Sequence, residues 1–301
     1  MKRVIISGAT GAIGTALIGN LIGNNVEILI ISRKNSKRLS VIPKNRLISI
    51  KYCDLDEYKN LQNDTGKTYD VFYHFAWSGT FGDSRNDMYI QNKNVEYSLV
   101  AVEIAKRFGC HTFIGAGSQA EYGRVEGVLT PSTPVFPENG YGMAKLCAGQ
   151  MTREYAHKLG LKHIWMRILS IYGPNDGAQT MVMSTINKLK NGEEAQFTKG
   201  EQLWDYLYSG DAAEAFRLIG ERGVDGKIYI LGSGVARPLY EYINIIGECL
   251  EAKELLKIGD LPYSDRQVMH LCADITELKR DTGWFPQTRF SDGIKKILNL
   301  L

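Results

Sequence analysis

The sequence predicts an α/β fold, a doubly wound parallel sheet with a smaller, interleaved C-terminal domain. Three observations carry that reading. Short β-branched runs alternate with longer helical stretches through the first half of the chain, the pattern of βαβ units. A glycine-rich turn separates the first apolar run from the first helical stretch. The 301 residues suffice for one large α/β unit with a smaller companion.

Val4 to Ser7 reads as a buried strand, followed by a helix over Ile13 to Ile22. Further strands are predicted at Val26 to Ser32, Leu47 to Tyr52 and Val71 to Phe75. A long helix over Asn94 to Arg107 places Val95, Leu99, Val102 and Ile104 at helical spacing. Thr112 to Ala116 is the fifth strand, Tyr141 to Leu159 the next helix and Leu161 to Leu169 the strand after it. Right-handed crossovers stack these units into one sheet, with ligands expected at the C-terminal strand ends. After Tyr172-Gly173-Pro174 the pattern loosens. Helices are expected at Thr180–Lys190, Ala212–Glu221, Leu239–Leu250 and Ser291–Leu300. The division is therefore drawn at 1–172 and 173–301, with elements near 205–231 returning to the first unit.

Composition narrows the function classes. With 36 basic and 33 acidic residues the net charge is only +3, which leaves no electrostatic footprint for nucleic acid or an anionic membrane. Cys53, Cys110, Cys147, Cys249 and Cys272 are odd in number and scattered, without metal-ligand spacing, so no metal site is expected and a reducing, cytoplasmic compartment is. The apolar run after Met1-Lys2-Arg3 is too short for a signal-peptide core, and no run approaches a membrane span.

The turn reads Ser7-Gly8-Ala9-Thr10-Gly11-Ala12-Ile13-Gly14, a Gly-x-x-Gly-x-x-Gly spacing. Glycines at a strand-to-helix junction allow close approach of a pyrophosphate, and the helix N-terminus supplies N–H groups and a favourable dipole. A tight turn alone would also use glycines; its place at the first βα junction favours a nicotinamide dinucleotide, on Gly8, Thr10, Gly11, Ala12, Ile13 and Gly14. The end of the second strand selects among dinucleotides, because a carboxylate there binds the ribose of NAD whereas an arginine accommodates a 2′-phosphate. The strand ends Ile31-Ser32-Arg33-Lys34 with no carboxylate, so NADP(H) is expected on Ser32 and Arg33, with NAD the alternative. Asp54 and Leu55 after the third strand are candidates for the adenine, and Phe75, Ala76 and Trp77 for the ribose and phosphates.

Redox chemistry at a carbinol needs a proton-exchanging group and a donor that holds the oxygen. Tyr141 and Lys145 lie four residues apart on a predicted helix and share a face. A free tyrosine near pKa 10 is about 0.1% ionised at neutral pH, and bringing it to 7 requires about 4 kcal/mol, which an ammonium and the cofactor's cationic ring can supply. Lys145 is also positioned to reach the cofactor's ribose. With 16 tyrosines, about one Tyr-x-x-x-Lys arises by chance, and Tyr89/Lys93 is a second instance. Tyr89 is read as preceding the long helix and as the decoy. Tyr141 opens a helix after the fifth strand, whose C-terminal end carries Ser118, a donor for the substrate oxygen.

Together, Gly8/Gly11/Gly14, the Ser118-Gln119-Ala120-Glu121-Tyr122-Gly123 stretch, Tyr141/Lys145 and the run from Arg167 to Pro174 resemble the extended short-chain dehydrogenase/reductase family, of NAD-dependent epimerase/dehydratase type. Trp204-Asp205-Tyr206, Asp211-Ala212-Ala213, Ala273-Asp274 and Gly283-Trp284-Phe285-Pro286 extend the resemblance over nearly the whole chain. It implies a Rossmann-like fold, a nucleotide-diphosphate sugar as substrate, and Ser118, Tyr141 and Lys145 as the catalytic triad. It also implies Asn94 as a supporting helix residue near the cofactor, and a sugar nucleotide facing Ala178 to Ile186 with Ser170, Gln202, Trp204 and Arg266.

Departures from the pattern narrow the activity. The 4,6-dehydratases of the family carry an Asp-Glu pair directly after the catalytic hydroxyl, where this chain has Gln119 and Ala120. The GDP-fucose epimerase-reductases have a cysteine where Ala120 stands. A 4-epimerase or a 4-ketoreductase remains. Arg33 favours exchangeable NADPH, and Arg266-Gln267-Val268-Met269 resembles the CDP-abequose and CDP-paratose synthase branch of ketoreductases. The leading expectation is an NADPH-dependent reductase of a 4-keto-6-deoxy nucleotide sugar, with a 4-epimerase second. A non-catalytic NADP(H) sensor is the reading from another class, disfavoured by retention of Tyr141 and Lys145. The resemblance further implies a homodimer through the two long helices, although Leu146, Met151 and Tyr155 could equally face the sheet.

Overall fold

The computed structural model describes residues 1–301. Its first βαβ unit runs β1 (Arg3–Ser7), α1 (Ala12–Gly23), β2 (Glu27–Ser32), and continues through β3 (Ile48–Tyr52) and β4 (Val71–His74). Then come α2 (Met88–Arg107), β5 (Thr112–Ser118), α3 (Gly140–Lys158), β6 (Lys162–Ile168) and β7 (Ser170–Tyr172). The C-terminal part contains α4 (Met181–Lys190), β8 (Ala195–Phe197), β9 (Leu203–Trp204), β10 (Tyr206–Tyr208), α5 (Ser209–Arg222) and β11 (Ile228–Leu231). β12 (Arg237–Pro238), α6 (Leu239–Cys249), β13 (Leu256–Ile258), α7 (Thr276–Thr282) and α8 (Phe290–Leu298) complete it.

Seven strands form one parallel sheet in the order β11-β6-β5-β4-β1-β2-β3. Strands buried on both faces must be apolar at every position, and successive side chains divide between two cores. Val4 and Ile6 of β1 pack with Leu17, Leu21 and Phe216 from α1 and α5, whereas Ile5 packs with Val102, Ile104 and Phe108 of the α2 side. The strand order reverses between β1 and β4, which opens a crevice beyond their C-terminal ends.

Several elements differ from the sequence expectation. α2 begins at Met88, six residues before Asn94, because the Asp87 side chain caps it by accepting from the Tyr89 and Ile90 amides. Tyr89 therefore lies on α2 rather than before it, but it is 86% exposed. The predicted strand from Leu161 to Leu169 is β6, which stays in the main sheet, whereas β7, beyond the predicted end, leaves to pair with β10. β11 returns to the sheet edge beside β6.

Two buried carboxylates tie the C-terminal part to this frame. Asp205 accepts from the Ser233, Gly234 and Ala273 amides at 2.6, 3.0 and 3.1 Å. Asp211 accepts from the Gln287 and Thr288 amides at 3.1 and 2.8 Å. The terminal region has its own core, where Tyr172, Tyr206, Tyr242 and Phe290 meet ring to ring. No helix is long and apolar enough to cross a membrane.

Candidate active site

The crevice at the strand reversal has a volume of about 470 Å³ and is lined by Gly8, Thr10, Ser32, Arg33, Asp54, Leu55, Phe75, Ala76 and Trp77. Gly11 and Ala12 line the adjoining cleft, opposite Arg38, Thr80, Asn175 and Gln179. Ile13 instead packs against the core beneath α1.

The three glycines have separate reasons. Gly8 has φ +72°, and a Cβ there would lie 2.5 Å from the Ala76 nitrogen, so the β1 and β4 loops touch only through glycine. A Cβ on Gly14 would lie 2.7 Å from the Ala9 Cα, so the helix could not close on its turn. Gly11 meets nothing within 4 Å and has φ −83°, so neither packing nor backbone requires glycine. A Cβ on Gly11 would enter open space beside the cleft that Gly11 lines. Gly11 lies at the N-cap of α1, which has neither a side-chain cap nor an acidic residue in its first turn. Such a helix start offers free N–H groups and a dipole to an anion, so the residues fit a dinucleotide pyrophosphate.

Arg33 is exposed at the end of β2 and borders both this cleft and its neighbour, which Lys34, Asn35, Tyr52 and Asp56 also line. Asp54 caps the turn after β3 by accepting from the Leu55 amide.

Trp77 joins the cleft to the candidate acid–base pair. Its ring lines the cleft, carries the Lys145 Nζ 3.6 Å from its centre, and meets the Tyr141 ring edge-on at 6.1 Å. Lys145 is buried and donates to the Ala116 carbonyl at 2.7 Å. Burial lowers its pKa to about 7, with Glu121 opposing and the Arg85 charge adding to the shift. The Tyr141 phenol is raised by burial, while the Arg85 charge and the nearby Ser118 side chain pull it back. Tyr141 and Lys145 share a face because Asn139 caps α3, accepting from the Gly142 amide at 2.8 Å and setting the first turn.

Ser118 ends β5, and its Oγ accepts from the Ala120 amide at 3.1 Å. Behind it lies Glu121, which is fully buried and accepts from the Ser118 amide, Trp165 Nε1 and Arg167 Nε at 2.8, 3.0 and 2.7 Å. Both its oxygens are spent on structure.

Asn94 is buried behind the cleft wall. It accepts from the Ser78 amide at 2.9 Å and donates to the Ser78 carbonyl at 2.8 Å, so it fixes the β4–α2 loop. Gln91, which sequence reasoning passed over, does the same for Gly79 and Ser84 at 2.7 and 3.0 Å and accepts from Trp77 Nε1 at 2.8 Å. On the far side, Ser170 accepts from Trp204 Nε1 at 2.8 Å, which brings two of the expected substrate residues together. Gln202 is buried and accepts from the Tyr263 hydroxyl at 3.3 Å, and Arg266 is exposed.

Arg85 also escaped the sequence reading. It lies in the short helical turn Asp83–Asn86, and its guanidinium sits 4.2 Å from the centre of the Tyr141 ring. Nothing local in sequence signals that contact, which the β4–α2 loop creates across the fold.

Comparison with known proteins bears on the family and the fold. A putative UDP-glucose 4-epimerase of Methanocaldococcus jannaschii is 25% identical, with 98% of this chain and 97% of that protein aligned. The human dTDP-D-glucose 4,6-dehydratase is also 25% identical, over 99% of this chain and 89% of its own. Among solved structures, UDP-N-acetylglucosamine 4-epimerase from Methanobrevibacter ruminantium, in complex with UDP-N-acetylmuramic acid, superposes with a TM-score of 0.87 at 20% identity, covering 100% and 99% of the two chains. The Thermotoga maritima UDP-glucose 4-epimerase with UDP-glucose gives 0.87 at 22% identity, covering 99% and 97%. The model of the NAD dependent epimerase/dehydratase family matches residues 4–232, from β1 through β11 and across every glycine of the turn. The chain belongs to that family, within the extended short-chain dehydrogenase/reductase enzymes, whose chemistry uses a nicotinamide dinucleotide.

Proposed function

We propose that this enzyme acts at C4 of a nucleotide-diphosphate sugar, and that its reaction is the NADPH-dependent reduction of a 4-keto-6-deoxy sugar. The observation that carries the site is Trp77, one ring shared by the dinucleotide cleft and the Tyr141–Lys145 pair. When bound, the dinucleotide supplies the electron pair that reduces the carbonyl carbon. Tyr141 gives its phenolic proton to the carbonyl oxygen, and Ser118 donates a hydrogen bond to the same oxygen. Lys145, with its pKa lowered to about 7, exchanges protons near neutral pH and restores the phenol. Ser170, Gln202, Trp204 and Arg266 face the sugar nucleotide.

Dehydration has no support in the site. Glu121 is the carboxylate nearest Ser118 in sequence, and Trp165 and Arg167 occupy its oxygens. Arg33 beside Ser32 favours the 2′-phosphate of NADP(H) over NAD. The second reading is 4-epimerisation with retained NAD, favoured by the activities named for three of the relatives above. One experiment separates them: the purified chain is assayed for released dinucleotide, then for NADPH consumption with 4-keto-6-deoxy nucleotide sugars. Consumption without retained NAD supports the reductase; retained NAD with interconversion of UDP-glucose and UDP-galactose establishes the epimerase.

A homodimer through α2 and α3 is part of the proposal. Leu99, Met151 and Tyr155 line an open groove of about 900 Å³ between these helices, and Met151 is 45% exposed. Leu146 lines a separate cavity, together with Trp165. A cytoplasmic location fits five cysteines that are all unpaired.

A further inference from the structure

We propose that Arg85 is a positioning residue of the active site, holding its guanidinium against the Tyr141 ring so that the phenol ionises more readily than its burial alone allows. The inference rests on Tyr141 being the proton donor described above.

Three observations place Arg85 in that role. The first is distance: its Cζ is 4.2 Å from the ring centre, whereas Lys145 Nζ is 5.6 Å from it and is turned toward Trp77 and the Ala116 carbonyl. The second is charge. An arginine stays protonated in any protein environment, while the buried lysine is depleted of charge near neutral pH. The third is that the contact is built. Arg85 Nη1 donates to the Thr80 carbonyl at 3.1 Å, and the buried Gln91 amide clamps the same loop at Gly79 and Ser84. Gly79 has φ +69°, and a Cβ there would lie 2.7 Å from the Ser84 oxygen, so the loop closes only with glycine.

The charges facing Tyr141 come from each neighbouring element. Lys145 lies one turn along α3, Glu121 lies behind Ser118 and opposes ionisation, and Arg85 favours it. Asp83 on the Arg85 turn is exposed, and Asp87 is committed to capping α2. A cation over an aromatic face is attracted to the neutral ring and more strongly to the anion, so its removal raises the pKa.

The test is titration of ring-labelled tyrosines by NMR in the full chain, with and without saturating NADP⁺, the Tyr141 signal being assigned by its loss in Tyr141→Phe. In Arg85→Met the Tyr141 midpoint rises by about half a pH unit or more, and Arg85→Lys recovers part of the shift. An unmoved midpoint in Arg85→Met, with thermal unfolding as in the parent chain, overturns the proposal, as does an equal shift in both variants. Turnover of Tyr141→Phe tests the functional reading separately. An Arg85-dependent titration beside undiminished Tyr141→Phe turnover would sink that reading and leave the electrostatic contact standing.

Discussion

Glu121 and Arg167 form an ion pair at 2.7 Å with side chains only 1% and 4% exposed, directly behind Ser118. The pair takes two charges out of water, and Glu121 recovers the cost through further hydrogen bonds from Ser118 and Trp165. Glu121→Gln keeps the shape and leaves Arg167 without its counter-charge. The expected loss is about 3–5 kcal/mol of stability, read by urea denaturation. Retention of parental stability would mean that Arg167 is neutralised in another way.

The glycines separate structure from binding. Gly11→Ala should leave thermal unfolding nearly unchanged, because its Cβ enters open space, while weakening dinucleotide binding about tenfold or more. Gly8→Ala should destabilise by more than about 1 kcal/mol, since its φ is positive and Ala76 is in the way. Calorimetry and a cofactor titration on the two variants test the contrast.

Lys145 gives stability a pH dependence of defined sign. Its folded pKa of about 7 lies below the ordinary value of 10.5, so between those limits the unfolded chain binds more protons than the folded one. Its contribution therefore costs stability at and below pH 7 and is relieved as pH rises toward 10.5, by at most about 1.4 kcal/mol per unit. Denaturation of the chain without dinucleotide at pH 7 and 9 should show this slope in the parent and lose it in Lys145→Met.

Cofactor choice should turn on Arg33. Arg33→Asp is expected to weaken NADPH binding about tenfold or more and to improve NADH relative to it, because a carboxylate replaces the phosphate partner with a ribose partner. Equal affinity for NADPH in parent and variant, measured by fluorescence titration, would remove Arg33 from the site.

The central strands were legible because they are buried on both faces, so Val4 to Ile6 and Val71 to Tyr73 read as apolar runs. The glycine turn was legible because covalent geometry restricts what can stand at Gly8. The start of α2 was not, since Met88 and Tyr89 are exposed and give no apolar period; Asp87 as a cap was the available signal. β7 was not legible because it is only three residues long and is defined by its pairing with β10, 34 or more residues away in sequence. Glu121 stood within the recognised Ser118 stretch, but its pairing with Arg167 spans 46 residues and depends on β5 and β6 lying side by side. Arg85 against Tyr141 is likewise a product of the folded loop.

Turnover of Tyr141→Phe, with NADPH and a panel of 4-keto-6-deoxy nucleotide sugars, tests the central claim most directly. The account predicts a fall of about 100-fold or more in kcat with NADPH affinity preserved, because the variant loses the proton and keeps the ring beside Trp77. Turnover equal to that of the parent chain on a substrate it reduces would contradict it.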